Sequence, residues 1–320
     1  MPLDHFVSQV HLKRFYSPHL GNRMYALRKR DMKAFTPDAE SVCRVPDGST
    51  NEYLQEPRAV EEFLKGVEPR YNESVAKLVA GTMDAAAIYA LSGFVAYVLT
   101  CSPAGMRLQS TPLRAVVEET GRRIDQVGQV PTPPAELGGV SFTELLERGA
   151  LQVNVDPKYP QAVGITSILR LANTFGNFVW EVLINDYGDS PYFTSDFPIA
   201  LETTQDPRIL NRVVPLTPTV AVRLRPNLAA RDLPTDFAYP AFAHRPVRPS
   251  KRQVAHLNQL IVRSAEELVF FRDRHPWVDG FVLRNAAYGI HATTQRLTHG
   301  TGTLLLSRLQ VASSTRETAT

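Results

Sequence analysis

Apolar residues recur at helical spacing through the first half of the chain. Val60, Phe63, Leu64, Val67, Tyr71, Val75 and Leu78 form one stripe and predict a helix over 58–79. Ala85 to Cys101 (AAAIYALSGFVAYVLTC) follows without a single charge. A bilayer span needs about 20 apolar residues, so this stretch predicts a buried central helix and no membrane. A third helix is expected over 111–127. The prolines of PTPP (131–134) cannot continue it, because proline lacks an N–H and clashes with the preceding turn. Ser141-Phe-Thr-Glu144 has the form of a capping box opening a helix through Leu146. A longer helix is expected over 159–177.

The pattern then changes. Phe178 to Ile184 and Tyr192 to Thr194 read as strands around turn-rich NDYGDSP, which predicts a hairpin. Val213-Val214 and Thr219 to Leu224 are further strand candidates, bounded by Pro215 and Pro218. Ser250 is placed to cap a helix running to about Phe271, with Val254, Leu257, Leu260, Ile261 and Leu268 as its stripe. Near the start, a strand after Arg23 would put Met24, Ala26 and Phe35 on one face, and 46–53 reads as a loop. The expected fold is α+β: a helical N-terminal half packed against a mixed, strand-rich C-terminal half. A single domain over 1–312 with a disordered tail at 313–320 is expected.

The stretch from Leu3 to Phe15 carries His5, Gln9, Lys13 and Arg14 among Phe6, Val7, Val10, Leu12 and Phe15. If that stretch is helical, His5 and Gln9 share a face. A histidine can serve as general acid or base near neutral pH. The same pair could instead be buried, with its hydrogen bonds fixing the chain start. Tyr192-Phe-Thr-Ser-Asp-Phe-Pro198 offers Asp196 at a strand end, as an Asx turn or as a carboxylate at a pocket rim beside Thr194 and Ser195.

Composition narrows the field. A net charge of +3 is small, but cations cluster over 11–33 and again over 245–274. Clustered cations attract phosphates, although two solvated faces explain them as well. Cys43 and Cys101 are too few for a disulfide framework or a zinc site. No signal-peptide pattern opens the chain, so a reducing cytoplasm is expected. The sequence holds no Gly-x-Gly-x-x-Gly turn, no Walker A loop, no His-Glu-x-x-His pair and no Gly-x-Ser-x-Gly elbow. His244, His256, His275, His291 and His299 show no metal-ligand spacing, and the glycines of His299 to Thr303 read as a turn.

His5-Phe-Val-Ser-Gln9-Val-His-Leu12-Lys-Arg-Phe15 resembles the opening signature of the domain-of-unknown-function 4238 family. Thr194-Ser-Asp196-Phe-Pro198 resembles its Thr-Ser-Asp-Asn-Pro element, and Pro215-Leu-Thr-Pro218 its Pro-Leu-Ser-Pro element. The matches run in the family's order from His5 to about Asn258. Ser8 stands where the family has proline, His11 where it has an aromatic, and Phe197 replaces the asparagine beside Asp196. The resemblance puts His5, Gln9 and Asp196 on one short list, and the expectation is that they meet in one pocket.

One expected function is a nuclease-like hydrolase of a phosphate-bearing substrate, with nucleic acid or another phosphate ligand as partner. His5 would be general acid/base, Gln9 would position substrate, and Asp196 would orient His5 or hold a divalent cation. Lys13, Arg14, Thr194, Ser195 and Asn258 would bind substrate. A second acidic metal ligand has no recognisable spacing; Glu68 and Glu181 are the candidates. The competing expectation is a non-catalytic binding or sensor module in which His5, Gln9 and Asp196 form a structural polar network.

Overall fold

The computed structural model describes residues 3–131, 136, 138–206, 209–230, 232–300 and 302–313. In chain order its elements are β1 (Leu3–His5), α1 (Gln9–Leu12), β2 (Tyr25–Arg28), β3 (Ala34–Phe35), β4 (Arg44–Pro46), α2 (Ala59–Val67), α3 (Tyr71–Ala80), α4 (Ala85–Cys101), α5 (Pro103–Gln126) and α6 (Phe142–Glu147). There follow α7 (Lys158–Thr166), α8 (Ile168–Gly176), β5 (Val179–Ile184), β6 (Thr194–Ser195), β7 (Ala200–Thr203), β8 (Leu210–Pro215), β9 (Val220–Arg225) and β10 (Ala243–Val247). The last are α9 (Lys251–Ser264), β11 (Leu268–Phe271), α10 (Val278–Asn285), β12 (Tyr288–His299) and β13 (Gly302–Ser313). The fold is α+β, with helices gathered in the first half and sheets in the second.

Helix α4 is the axis of the first half. The Asp84 carboxylate accepts from Ala87 N at 2.8 Å and caps it, and α2, α3, α5, α7 and α8 pack around it. Its lack of charge is thus the mark of a helix buried on most of its circumference. Among the described residues no single helix is long and apolar enough to cross a membrane.

Several expected elements are cut differently. The helix over 58–79 divides into α2 and α3, because Pro69 cannot donate into a continuous ladder and a 3₁₀ turn bridges the gap. Helix α5 starts eight residues before Thr111: Ser102 Oγ caps it by accepting from Gly105 N at 3.0 Å, Pro103 takes a first-turn place that needs no N–H, and Pro112 is carried inside. The stretch 159–177 breaks into α7 and α8 at Ser167. Helix α9 has the expected Ser250 cap, with Gln253 completing a capping box. It stops at Ser264, and Leu-Val-Phe-Phe (268–271) becomes strand β11. Residues 132–135 of the proline run, and 314–320 of the tail, lie outside the described residues.

The expected hairpin between β5 and β6 does not form. β5 lies inside a five-stranded sheet of order β10-β5-β9-β8-β7, antiparallel to β9 and parallel to β10. β6 joins a separate sheet of order β3-β2-β11-β6. The turn between them is real, held by Asn185 Nδ2 donating to Ser190 O at 2.8 Å, but it turns the chain from one sheet to the other. The Pro215-Leu-Thr-Pro218 turn does close a hairpin, β8–β9, with Thr217 Oγ1 accepting from Val220 N at 2.9 Å. The long β12–β13 hairpin, with its turn at Gly300, was not anticipated as strands. One large apolar cluster draws on both halves, from Val7, Leu12 and Phe94 to Trp180, Val222 and Leu224.

Candidate ligand-binding cleft

The opening segment is not one helix. Leu3, Asp4 and His5 form β1, paired antiparallel with β4 as Leu3↔Pro46, Asp4↔Val45 and His5↔Arg44. A bend and a helical turn follow and send Val7, Leu12 and Phe15 into the core with no exposed surface. Gln9 and Lys13, four apart on that turn, share the opposite face. His5 and Gln9 therefore come together across a strand-to-helix bend instead of along one helix.

They meet in an open cavity of about 570 Å³, lined also by Lys13, Leu64 and Glu68. His5 Nε2 lies 3.1 Å from the carbonyl oxygen of Glu40. A carbonyl can only accept, so Nε2 carries the proton and Nδ1 keeps a lone pair while the ring is neutral. The acidic groups here are engaged: Asp4 accepts from Ser49 N at 2.9 Å and faces Arg58, Glu61 pairs with Arg58, and Glu68 accepts from Ser8 Oγ. Gln9 and Lys13 also line a second cavity of about 600 Å³, with Tyr16, Asn22, Arg23 and Asp38.

Asp196 is elsewhere. It lines a third cavity, of about 380 Å³, with Phe6, Cys43, Arg44 and Pro103. The expectation that His5 and Asp196 meet in one pocket is corrected by the backbone. Successive residues of an extended segment point to opposite sides, so His5 faces the Gln9 cavity while Phe6, whose N donates to Cys43 O at 2.8 Å, faces that of Asp196. The Asp196 carboxylate accepts from the backbone N–H groups of Glu266, Glu267 and Leu268 at 2.9, 2.7 and 2.9 Å. It thereby clamps the α9–β11 turn onto β6. Burial pushes its pKa up to about 6 against the pull of those three donors. Nearby, the Lys29 ammonium donates to the carbonyls of Ala265 and Tyr288 at 2.6 and 2.7 Å, and burial lowers it to about 8.

The other substrate-binding candidates are also structural. Thr194, Ser195 and Asn258 have no exposed surface. Asn258 accepts from Phe193 N at 3.0 Å and donates to Pro191 O at 2.8 Å, while Ser195 Oγ accepts from Phe197 N at 3.2 Å. Arg14 donates to Asn72 Oδ1 at 2.7 Å. Glu68 sits on the cleft, but Glu181 lies on β5 among Arg223, Arg225 and Arg245. Among the described residues no three His, Cys, Asp or Glu side chains converge on a metal site, so Asp196 has no partner set for a divalent cation. The second basic stretch is mostly paired, Arg248 with Asp186, Lys251 with Asp189 and Arg274 with Asp279.

Sequence reasoning passed over His11. Its Nδ1 lies 2.7 Å from Tyr71 Oη and its Nε2 2.8 Å from Thr194 Oγ1, and its ring stacks on Phe94 at 4.8 Å. Burial, with help from the Arg14 charge, lowers its pKa to about 3, so it is a neutral structural link. Its position between Val10 and Leu12, four residues before Phe15, was the available signal.

Each motif noted in the sequence now has a place: the opening signature spans the bend at α1, Thr194 to Pro198 fastens β6, and Pro215 to Pro218 turns β8 into β9. The chain matches the family described as "Protein of unknown function (DUF4238)" over residues 4–275. It belongs to the DUF4238 family. No curated protein and no solved structure matches the chain. In this DUF4238 chain the opening motif supplies an open, polar surface, whereas the Thr-Ser-Asp element supplies a buried fastening.

Proposed function

We propose that this DUF4238 chain is a binding module for a small phosphate-bearing ligand, held in the cleft formed by β1, α1 and α2. The observation that carries the reading is how the motif polar groups are used. Asp196, Thr194, Ser195 and Asn258 spend theirs on backbone and core partners. His5, Gln9 and Lys13 line one open cavity, and among the described residues His5 Nδ1, the Gln9 amide and the Lys13 ammonium have no hydrogen-bond or ion-pair partner. A lysine supplies charge for phosphate, glutamine both donates and accepts, and a partly exposed imidazole offers a further ring nitrogen.

Binding of inorganic phosphate to the full chain, followed by the His5 ring resonances in NMR, tests this. Lys13→Ala and Gln9→Ala are expected to weaken it about tenfold each. Phosphate affinity unchanged in both variants rejects the reading.

A second reading is favoured by the Glu40 carbonyl, which fixes the His5 tautomer without any carboxylate. His5 Nδ1 would then take a proton from water as its oxygen attacks phosphorus, and return that proton to the departing alkoxide. Turnover of bis(p-nitrophenyl) phosphate by the wild-type chain, lost in His5→Ala, selects it. Phosphate binding without turnover leaves the module.

A further inference from the structure

Gln9 and Lys13 lie between two cavities, and the side-chain face they share lines both. A phosphate held by Lys13 therefore has room on each side, about 570 Å³ toward His5 and about 600 Å³ toward Tyr16. A terminal phosphate needs room on one side only. Each space is of the size that holds a small organic group. We infer that the ligand is a phosphodiester with a compact substituent on either side of the phosphate, a dinucleoside monophosphate in class. The inference rests on the phosphate-binding reading and adds the shape of what the phosphate carries.

The lining sets the chemistry of the substituents. On the His5 side the lining joins apolar Leu3, Val10 and Leu64 with the Glu61 and Glu68 carboxylates. On the far side Tyr16 offers a phenol ring whose oxygen accepts from Ala39 N at 2.8 Å, beside Arg23 and Asn22. A nucleobase fits such a surface, stacking on an aromatic ring and exchanging hydrogen bonds at its edge. The charges argue for a single phosphate. Across the two linings Lys13, Lys65 and Arg23 are outnumbered by Asp4, Glu61, Glu68, Asp38 and Glu40, and a chain of phosphates would meet carboxylates on both sides.

The test compares inorganic phosphate, thymidylyl-thymidine and a ten-residue oligothymidylate by titration calorimetry on the full chain. The dinucleotide is expected to bind at least about tenfold tighter than phosphate, and the oligomer no tighter per site. Leu64→Trp fills one cavity and Asn22→Trp the other, the latter at an exposed position where folding is undisturbed. Both are expected to reduce dinucleotide affinity about tenfold, and Asn22→Trp, outside the His5 cavity, to leave phosphate unchanged. Phosphate binding with no dinucleotide advantage, or an advantage insensitive to both variants, overturns this inference and leaves the phosphate reading standing. Tighter binding of the oligomer overturns the restriction to one phosphate. Failure of all three ligands to bind overturns the phosphate reading and this inference with it.

Discussion

Replacing His11 by Phe tests whether the buried His11–Tyr71–Thr194 link is the neutral connection the geometry describes. The ring volume is kept, and the stacking partners Phe94 and Phe15 remain. What is lost is a partner for Tyr71 Oη and one for Thr194 Oγ1. A buried polar group left unpaired costs about 1–3 kcal/mol, so with two such groups the variant should be less stable by about 2–6 kcal/mol at pH 7. The pH dependence is the sharper test. With a folded pKa of about 3 against 6.5, the unfolded chain binds the extra proton between those values, and the native state loses stability as pH falls. From pH 7 to pH 5 the loss from His11 is about 2 kcal/mol. Asp196 acts in the opposite sense: with a folded pKa of about 6 against 3.8, the native state binds the extra proton and gains about 1 kcal/mol over the same interval. The two partly cancel in the wild type. The stability gap between wild type and His11→Phe should therefore narrow by about 2 kcal/mol from pH 7 to pH 5. Urea unfolding of both proteins at the two pH values measures it. A gap of equal size at both refutes the claim that His11 is buried neutral.

Three further outcomes are expected. Asp196→Asn keeps one acceptor oxygen for three backbone donors and should cost about 2 kcal/mol or more; urea unfolding at pH 7 checks this, and a neutral substitution would deny the clamp on the α9–β11 turn. Gly105→Ala should cost about 2 kcal/mol or more, because its Cβ would lie 2.1 Å from the Leu99 carbonyl oxygen where α4 turns into α5; thermal unfolding reports it, and an unchanged Tm would contradict the close approach. The thiols of Cys43 and Cys101 should resist iodoacetamide at pH 8 until the chain is unfolded, since burial raises both, Cys101 to about 12; mass spectrometry of the native protein settles it, and rapid native labelling of Cys43 would show its cavity opening to solvent.

The elements legible in the sequence are those whose cause is local. Seventeen uncharged residues after an Asp cap could only be a buried helix at that length, and the Ser250–Gln253 capping box opens α9 because both hydrogen bonds span three residues. Turn chemistry was equally readable at Asn185 and at Thr217. Pairing was not. β5 and β6 have strand composition and a good turn between them, yet their partners are β9, β10 and β11, and nothing in the intervening residues encodes that choice. β12 and β13 were missed for a related reason: half of their residues face solvent, so alternation is blurred by Thr, Gln and Arg.

The candidate site divides along the same line. The sequence by itself determined which residues carry polar function in apolar surroundings: His5, Gln9, Thr194, Asp196 and Asn258. Tertiary structure alone decided which of them face solvent. One peptide step of extended backbone separates His5, on an open cleft, from Phe6, on the cavity of Asp196, and a link across 183 positions makes His11 and Thr194 one buried pair. Side-chain type is a property of the residue. Which face of the chain is covered depends on what packs against it, and that is set only when distant segments have met.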